Sequence, residues 1–237
     1  MRERAAKVKE QVKEELMEGY GMLSSGMDPA SSTFSRAALA LASLTALVAW
    51  AGLILQLYLT VEQSAAQGFG LSFAIWRFAG FFTILTNLAV AVVASAMALK
   101  SASWVARPNV RLSVAASIII VGLVYSVALR GTWQPTGWQA VADHVMHDAV
   151  PPLFFLSWLA APHGGLNWRS LGAALVLPVG YIIYALARGA WDGWYAYWFL
   201  DPNALSMMQM AASAAILLVV FMAVAGALMA IDRWLAR

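Results

Sequence analysis

The sequence predicts an all-α membrane protein, a bundle of six transmembrane helices with both termini in the cytoplasm. Composition is the first observation behind this fold class. Apolar residues make up 62% of the 237 residues and charged residues only 11%, whereas soluble domains are about 45–50% apolar and roughly 25% charged. The mean hydropathy is +0.71. The apolar residues also fall in runs of about 20, the length at which a helix crosses a bilayer.

The predicted helices follow one another with short connections. They cover about residues 36–61, 72–99, 110–129, 143–161, 169–187 and 204–231. Pro151 and Pro152 lie inside the fourth helix, where we expect a kink, and Pro178 can bend the fifth in the same way. No internal repeat and no second, soluble domain is apparent. The sequence therefore predicts one transmembrane domain over residues 34–237.

Residues 1–33 differ from the rest in being charged at the start and rich in Ser, Gly and Met at the end. Apolar residues recur there at helical spacing among Lys and Glu, namely Ala5, Val8, Val12, Leu16 and Tyr20. This pattern is typical of a helix that lies on a membrane surface. A solvated helix and a non-native extension are the alternatives. We assign this part as a charged segment and linker.

Basic residues predict the orientation of the bundle. Most of the 15 Lys and Arg residues fall in the segments and loops that lie on the same side of the membrane as the N-terminus. The opposite loops hold only Arg130 and Arg188, and Arg77 lies just inside the second helix. Because positive residues concentrate in cytoplasmic loops, both termini are predicted to be cytoplasmic. The formal charge of +3 fits anionic lipid headgroups better than nucleic acid, since no basic surface with interleaved aromatic residues is apparent.

Polar side chains interrupt two of the apolar runs. In the second helix they are Arg77, Thr83, Thr86 and Asn87. In the fourth they are Asp143, His144, His147 and Asp148. Polar groups inside a membrane are costly, so they usually face the bundle interior and mark a site or pathway. We expect these two helices to face each other in the outer half of the bilayer, with Thr83 about 9 Å deeper than Arg77 at 1.5 Å per residue.

The two polar clusters contain the groups for nucleophilic catalysis. Thr83, Thr86 and Asn87 share one helical face. A threonine hydroxyl is a weak nucleophile until a neighbouring base takes its proton, and histidine is the usual base. We therefore predict that Thr83 and His147 form a nucleophile–base pair. A third group must hold the imidazole in the correct tautomer, and Asp148, Asp143 or Asn87 can serve.

Further candidates for substrate binding lie near the outer ends of the predicted helices. Arginine recognises carboxylate headgroups and helps to stabilise an oxyanion. The candidate substrate-binding residues are Arg77, Arg130, Arg188, His144, Asp148 and Tyr184. Structural roles compete with each assignment, because a threonine in a membrane helix often bonds its own i−4 carbonyl and histidine pairs can be interfacial.

Cofactor chemistry has little support in the sequence. A histidine with a nearby aspartate can bind zinc, but the string HVMHD has no HExxH arrangement and no clear further ligand. The chain also has no cysteine, which excludes thiolate metal sites and a disulfide framework. We expect neither a metal nor another cofactor.

Four strings together resemble a known family. RFAGFFTILTNL, LRGTWQP, ADHVMHDAVPPL and RGAWDGWYAYWFLDP are similar to segments of the Pr6Pr family of bacterial membrane proteins, over about residues 36–232. That family is related to the FAR-17a, androgen-induced (ADTRP-like) membrane proteins. The resemblance implies an intramembrane threonine hydrolase that cleaves fatty acid esters of hydroxy fatty acids, located in the bacterial inner membrane as a multi-pass protein.

The resemblance also implies site residues. His147 matches the family's catalytic histidine, and Thr83 best matches its catalytic threonine because it follows an aromatic–apolar pair, as in the family's motif. Thr86 competes with Thr83, since the string TN aligns after a small shift. The rival interpretation is a transporter or binding protein for an amphiphile or anion, with Arg77, Arg130 and Arg188 as its clamp. An assembly partner without chemistry of its own is a third. The expected ligand is a lipid or other amphiphile, and the oligomeric state is open.

Overall fold

The computed structural model describes residues 34–237. This part of the chain folds into helices joined by turns, and no strand occurs in it, which confirms the all-α fold class. The α-helices are α1 (Arg36–Ala66), α2 (Leu71–Phe78), α3 (Phe82–Ala98), α4 (Pro108–Val124), α5 (Gly137–His144), α6 (Val150–Leu159), α7 (Trp168–Asp192) and α8 (Met207–Leu235). The expectation of a surface helix within residues 1–33 lies outside the described residues.

Several of these helices are long and apolar enough to cross a membrane. They are α1, α4 with its extension to Leu129, α7 and α8, and α2 with α3 makes a fifth if that bent pair is one span. The chain is thus a multi-pass membrane protein with four to five candidate spans within residues 34–237. The prediction of a multi-pass helical bundle is confirmed, whereas the number of six spans stays a prediction.

The fourth predicted helix accounts for the difference. Residues 137–159 form one continuous helical segment, in which the π-helical turn Val145–Ala149 joins α5 to α6. Its polar residues and prolines lower its hydropathy, so it is not among the candidate spans. The turn has a physical cause: Pro151 and Pro152 lack the N–H groups that would bond the carbonyls of His147 and Asp148. The helix widens there, and π turns of this kind often occur at functional sites.

The second predicted helix is not straight, which corrects the prediction of one helix over 72–99. It breaks at residues 79–81, and the axes of α2 and α3 differ by 82°. The break frees backbone carbonyls, and two tyrosines of α7 bond them. Tyr184 donates to the Ala79 carbonyl at 3.2 Å and Tyr181 to the Gly80 carbonyl at 2.9 Å. The expected depth difference between Arg77 and Thr83 assumed one axis and is therefore wrong.

Small residues bring α1 close to its neighbours. Its buried face includes Ala42, Ala46 and Ala49, and such residues let helix backbones approach closely in membranes. At Gly52 an added Cβ would lie 2.6 Å from Cγ1 of Val145. The π turn therefore packs directly against α1 at this glycine. The bonds from Asn87 to the Met146 carbonyl and between Thr83 and His147 place the π turn opposite the start of α3.

Candidate functional site

Thr83 and His147 meet at the centre of the candidate site. Thr83 is the second residue of α3, immediately after the 82° bend, and His147 is the middle residue of the π turn. The Thr83 Oγ1 atom lies 3.3 Å from His147 Nε2, within reach of a hydrogen bond. The bend and the π turn, both departures from regular helix, thus bring together the hydroxyl and the imidazole that the sequence analysis paired.

Asp143 holds the other side of the imidazole. His147 Nδ1 lies 3.0 Å from the Asp143 carbonyl oxygen and 3.3 Å from its carboxylate Oδ1. Both neighbours are acceptors, so Nδ1 carries the proton and Nε2 presents a lone pair to Thr83. The Asp143 side chain is buried, with 4% of its surface exposed. Of the three candidates for the orienting group, Asp143 is the one that contacts His147.

Tyr125 completes the support of this pair. Its ring stacks on the imidazole of His147, with centroids 3.9 Å apart and planes at 14°. Its hydroxyl donates a hydrogen bond to Asp143 Oδ2. A buried carboxylate is costly without such donors, so Tyr125 stabilises the residue that orients His147.

The other polar residues of α3 have different surroundings. Asn87 is fully buried, and its amide donates to the Thr83 carbonyl at 2.9 Å and to the Met146 carbonyl at 3.4 Å. It therefore connects α3 to the π turn and makes no hydrogen bond to the Thr83 hydroxyl or the His147 ring. Thr86 is 1% exposed, and its hydroxyl has no hydrogen-bond partner among the described residues. The geometry pairs Thr83, and not Thr86, with the histidine.

The bend also shapes the electrostatics around Thr83. The first N–H groups of a helix have no partner within it and carry partial positive charge, and Thr83 lies in the first turn of α3. Its N–H donates to the Tyr197 hydroxyl at 3.4 Å. Burial raises the pKa of Tyr197, so its hydroxyl is protonated at neutral pH and can donate to a further acceptor. Negative charge that develops beside Thr83 is therefore favoured here.

The site opens into a cavity of about 790 Å³. Thr83, Asp143 and His147 lie on its wall, together with Arg77 from α2. The guanidinium of Arg77 lies 4.2 Å from the Trp194 ring, and no ion pair of Arg77 occurs within residues 34–237. Among the arginines predicted to bind substrate, Arg77 is the one that lines this cavity.

Arg188 and Tyr184 support the bend instead of the cavity wall. Arg188 is 4% exposed; its Nη1 donates a hydrogen bond to the Tyr184 hydroxyl at 3.2 Å, and its Nε donates to Asp192 Oδ2 at 3.4 Å. Its guanidinium stacks over the Trp194 ring at 4.9 Å. Arg77 contacts the same ring but also lines the cavity. Neither Arg188 nor Tyr184 lines the cavity. Their contacts show that both residues stabilise the junction between α2 and α3.

Arg130, His144 and Asp148 form a separate cluster. Asp148 pairs with Arg130, and its other oxygen lies 2.7 Å from His144 Nδ1. All three side chains are exposed by more than a third, and none lines the cavity. The expectation that Asp148 could orient the His147 imidazole is therefore wrong, because its two oxygens face Arg130 and His144.

Three residues of the site were missed or left undecided by the sequence. Asp143 was one of several candidates, although its i,i+4 spacing to His147 was visible. Tyr125 and Tyr197 come from other parts of the chain, and no local pattern points to them. Within residues 34–237, no group of three or more His, Asp or Glu side chains could hold a metal ion.

The fold and site define a class: a helical, multi-pass membrane protein with a threonine, a histidine and an aspartate in line on a cavity wall. Comparison with family models, with curated proteins and with solved structures finds no match for this chain.

Proposed function

We propose that the protein is an intramembrane hydrolase of lipid esters, with Thr83 as nucleophile and His147 as general base. The 3.3 Å distance between Thr83 Oγ1 and His147 Nε2 on the wall of a large cavity carries this proposal. The resemblance to the Pr6Pr family and to the FAR-17a-type threonine hydrolases agrees with it. Fatty acid esters of hydroxy fatty acids are the substrates that this resemblance suggests.

Acylation follows from the arrangement of the three residues. Thr83 Oγ1 attacks the ester carbonyl carbon while its proton passes to His147 Nε2, and Asp143 stabilises the resulting imidazolium. The tetrahedral intermediate then collapses. The bond to the alcohol oxygen breaks, His147 returns the proton to that oxygen, and the acyl group remains on Thr83.

Deacylation uses the same groups with water as nucleophile. His147 takes a proton from water, the hydroxide attacks the acyl carbon, and the proton then goes to Thr83 as the free acid leaves. In both steps the carbonyl oxygen becomes an oxyanion. The first turn of α3 and the Tyr197 hydroxyl are the donors nearest to that charge, and such preorganised donors are often the largest catalytic contribution.

Arg77 is the proposed contact for an acidic headgroup. It is the cation on the cavity wall, and its planar guanidinium can bind a carboxylate through two parallel hydrogen bonds. The other residues predicted to bind substrate do not line the cavity, and we propose that they affect binding only through the structure they stabilise around it. They are Arg130, Arg188, His144, Asp148 and Tyr184.

For the membrane arrangement we propose six spans with both termini in the cytoplasm of a bacterial inner membrane. The bent pair α2–α3 and the continuous segment 137–159 then count as the second and fourth spans. The distribution of Lys and Arg supports this orientation. In this proposed orientation the cavity is at the outer leaflet.

The proposal is tested by labelling the purified protein with an alkyl fluorophosphonate, which phosphonylates activated hydroxyl groups. We expect labelling of the wild-type protein and its loss in Thr83→Ala and His147→Ala. Thr86→Ala is the matched control, because it removes a buried hydroxyl from the same helix one turn further on. Labelling that persists in Thr83→Ala would exclude Thr83 as the nucleophile.

Binding or transport of an amphiphile is the alternative, and one observation favours it. Arg77 and the 790 Å³ cavity can hold an anionic amphiphile without any reaction. Saturable fatty acid binding that is lost in Arg77→Gln, with no hydrolysis of any ester, would support this function over the hydrolase.

A further inference from the structure

A second cavity meets the first at Thr83. It is small, about 60 Å³, and lies between α4, α7 and α8. Thr83, Leu129 and Tyr197 line both cavities. Thr83, the proposed nucleophile, therefore borders both spaces.

The two spaces differ in chemistry. Apart from Thr83 and two tyrosines, the small cavity is walled by aliphatic, aromatic and proline side chains, such as Ile120, Pro178 and Leu218. The large cavity is lined by one polar face at the end of α1, made of Gln56, Thr60, Gln63 and Ser64, and by Gln67 immediately after the helix. These positions recur at helical spacing, and they are uncharged donors and acceptors.

The position of the histidine distinguishes the two sides in a further way. His147 and Asp143 line the large cavity and not the small one. In ester cleavage the general acid must reach the oxygen of the departing alcohol. The alcohol side of the ester therefore has to lie on the side of His147, and the acyl side falls opposite.

We propose that the small cavity is the subsite for the part of the acyl chain next to the ester carbonyl, and that the large cavity is the subsite for the alcohol, with the polar face at the end of α1 bonding hydroxyl or other uncharged polar groups of that alcohol. This assignment rests on the proposed hydrolase function. Polarity agrees with it, since methylene groups are favoured among apolar walls and polar groups are costly there without partners.

Photo-crosslinking in the Thr83→Ala variant tests the assignment directly, because the bound ester is not cleaved. One ester probe carries a diazirine on its acyl chain close to the carbonyl, and a second carries it on the alcohol. We expect the acyl probe to crosslink to α4, α7 or α8 and the alcohol probe to α1, as mapped by peptide mass spectrometry.

Matched variants separate the cavity from the lipid-facing surface. Leu218→Trp fills the small cavity, whereas Val219→Trp adds the same group to an exposed position of α8. Leu218→Trp should lower the yield of acyl-probe crosslinks to the cavity residues by at least about tenfold, whereas Val219→Trp should leave that yield nearly unchanged. Gln63→Leu should reduce alcohol-probe crosslinks to α1, and Ala66→Leu, exposed on the same helix, should not.

The outcomes distinguish this inference from the hydrolase proposal. Crosslinks with the two probes exchanged, or acyl crosslinks indifferent to Leu218→Trp, overturn the assignment, while fluorophosphonate labelling that depends on Thr83 still upholds the hydrolase. Crosslinks in the expected places without such labelling uphold the two subsites as a binding site and overturn the hydrolase.

Discussion

The ring of Tyr125 lies parallel to the imidazole of His147, with centroids 3.9 Å apart. The Tyr125 hydroxyl also bonds Asp143. A single side chain at the start of the extension of α4 therefore holds both the His147 ring and the Asp143 carboxylate. Catalytic groups act well only when their rotamers are held by packing and by further hydrogen bonds. Tyr125 supplies both kinds of support to the proposed base.

Tyr125→Phe keeps the stacked ring and removes the hydrogen bond to Asp143. A hydrogen bond to a charged group contributes about 1.5–3 kcal/mol, so we expect the rate constant of fluorophosphonate labelling to fall about tenfold or more. Tyr58→Phe is the control, since the Tyr58 hydroxyl bonds Glu62 at an exposed position. Equal labelling by the Tyr125→Phe and wild-type proteins would refute this supporting role.

Asp143→Asn tests the orientation of the imidazole. An asparagine can donate to His147 Nδ1 and so favour the tautomer that carries its proton on Nε2, where it cannot act as base. We expect labelling to fall by at least about 100-fold, in line with the large effect of the wrong tautomer in hydrolase triads. Asp148→Asn, which changes the exposed cluster with Arg130 and His144, should label within about twofold of wild type.

Tyr197→Phe tests the proposed role of the Tyr197 hydroxyl as an oxyanion donor. Loss of one such donor typically lowers turnover by about 10²–10³, and we expect a decrease of that order in ester hydrolysis with little change in thermal stability. Tyr195→Phe is the control, because the Tyr195 ring packs on Gly189 and its hydroxyl makes no hydrogen bond within residues 34–237. An unchanged kcat in Tyr197→Phe would remove Tyr197 from the mechanism.

Gly80→Ala tests the bend between α2 and α3. An added Cβ would lie 2.4 Å from Arg188 Nη1 and 2.4 Å from Trp194 Cζ3, and Arg188 is held by Tyr184 and Asp192. We expect a loss of about 1–3 kcal/mol in stability, as for other overpacked positions, seen as a lower Tm in detergent. Gly180→Ala, with open space around it in α7, should leave Tm unchanged or raise it slightly.

The all-helical membrane fold could be predicted from the sequence because it depends on composition and on the length of apolar runs, both of which are local. The pairing of Thr83 with His147 was also within reach, since polar groups in two apolar runs imply a shared interior site. That pairing concerns which groups meet, and its catalytic meaning stays a prediction until it is tested.

The choice between the two aspartates shows what could not be predicted. Asp143 stands four residues before His147, and Asp148 stands four residues after His144, so spacing alone treats them alike. Their partners decide: Tyr125 bonds Asp143, and Arg130 draws Asp148 away. Both partners come from another part of the chain.

The bend at Gly80 was missed for a similar reason. Its freed carbonyls are bonded by Tyr181 and Tyr184, which lie about 100 residues later in the chain. A local pattern of apolar residues cannot reveal donors at that distance, and without them a broken helix inside a membrane would be too costly.

The length of α3 has a consequence for the lipid bilayer. At 1.5 Å per residue its 17 residues span about 26 Å, less than the roughly 30 Å of a typical hydrocarbon layer. The start of this helix therefore lies below the surface while its other end meets the opposite headgroups, or the surrounding leaflet becomes thinner to match it. For the proposed hydrolase, an ester of a membrane lipid then needs only a small vertical displacement to reach Thr83, and the rate of hydrolysis should vary with the acyl length of the host vesicles.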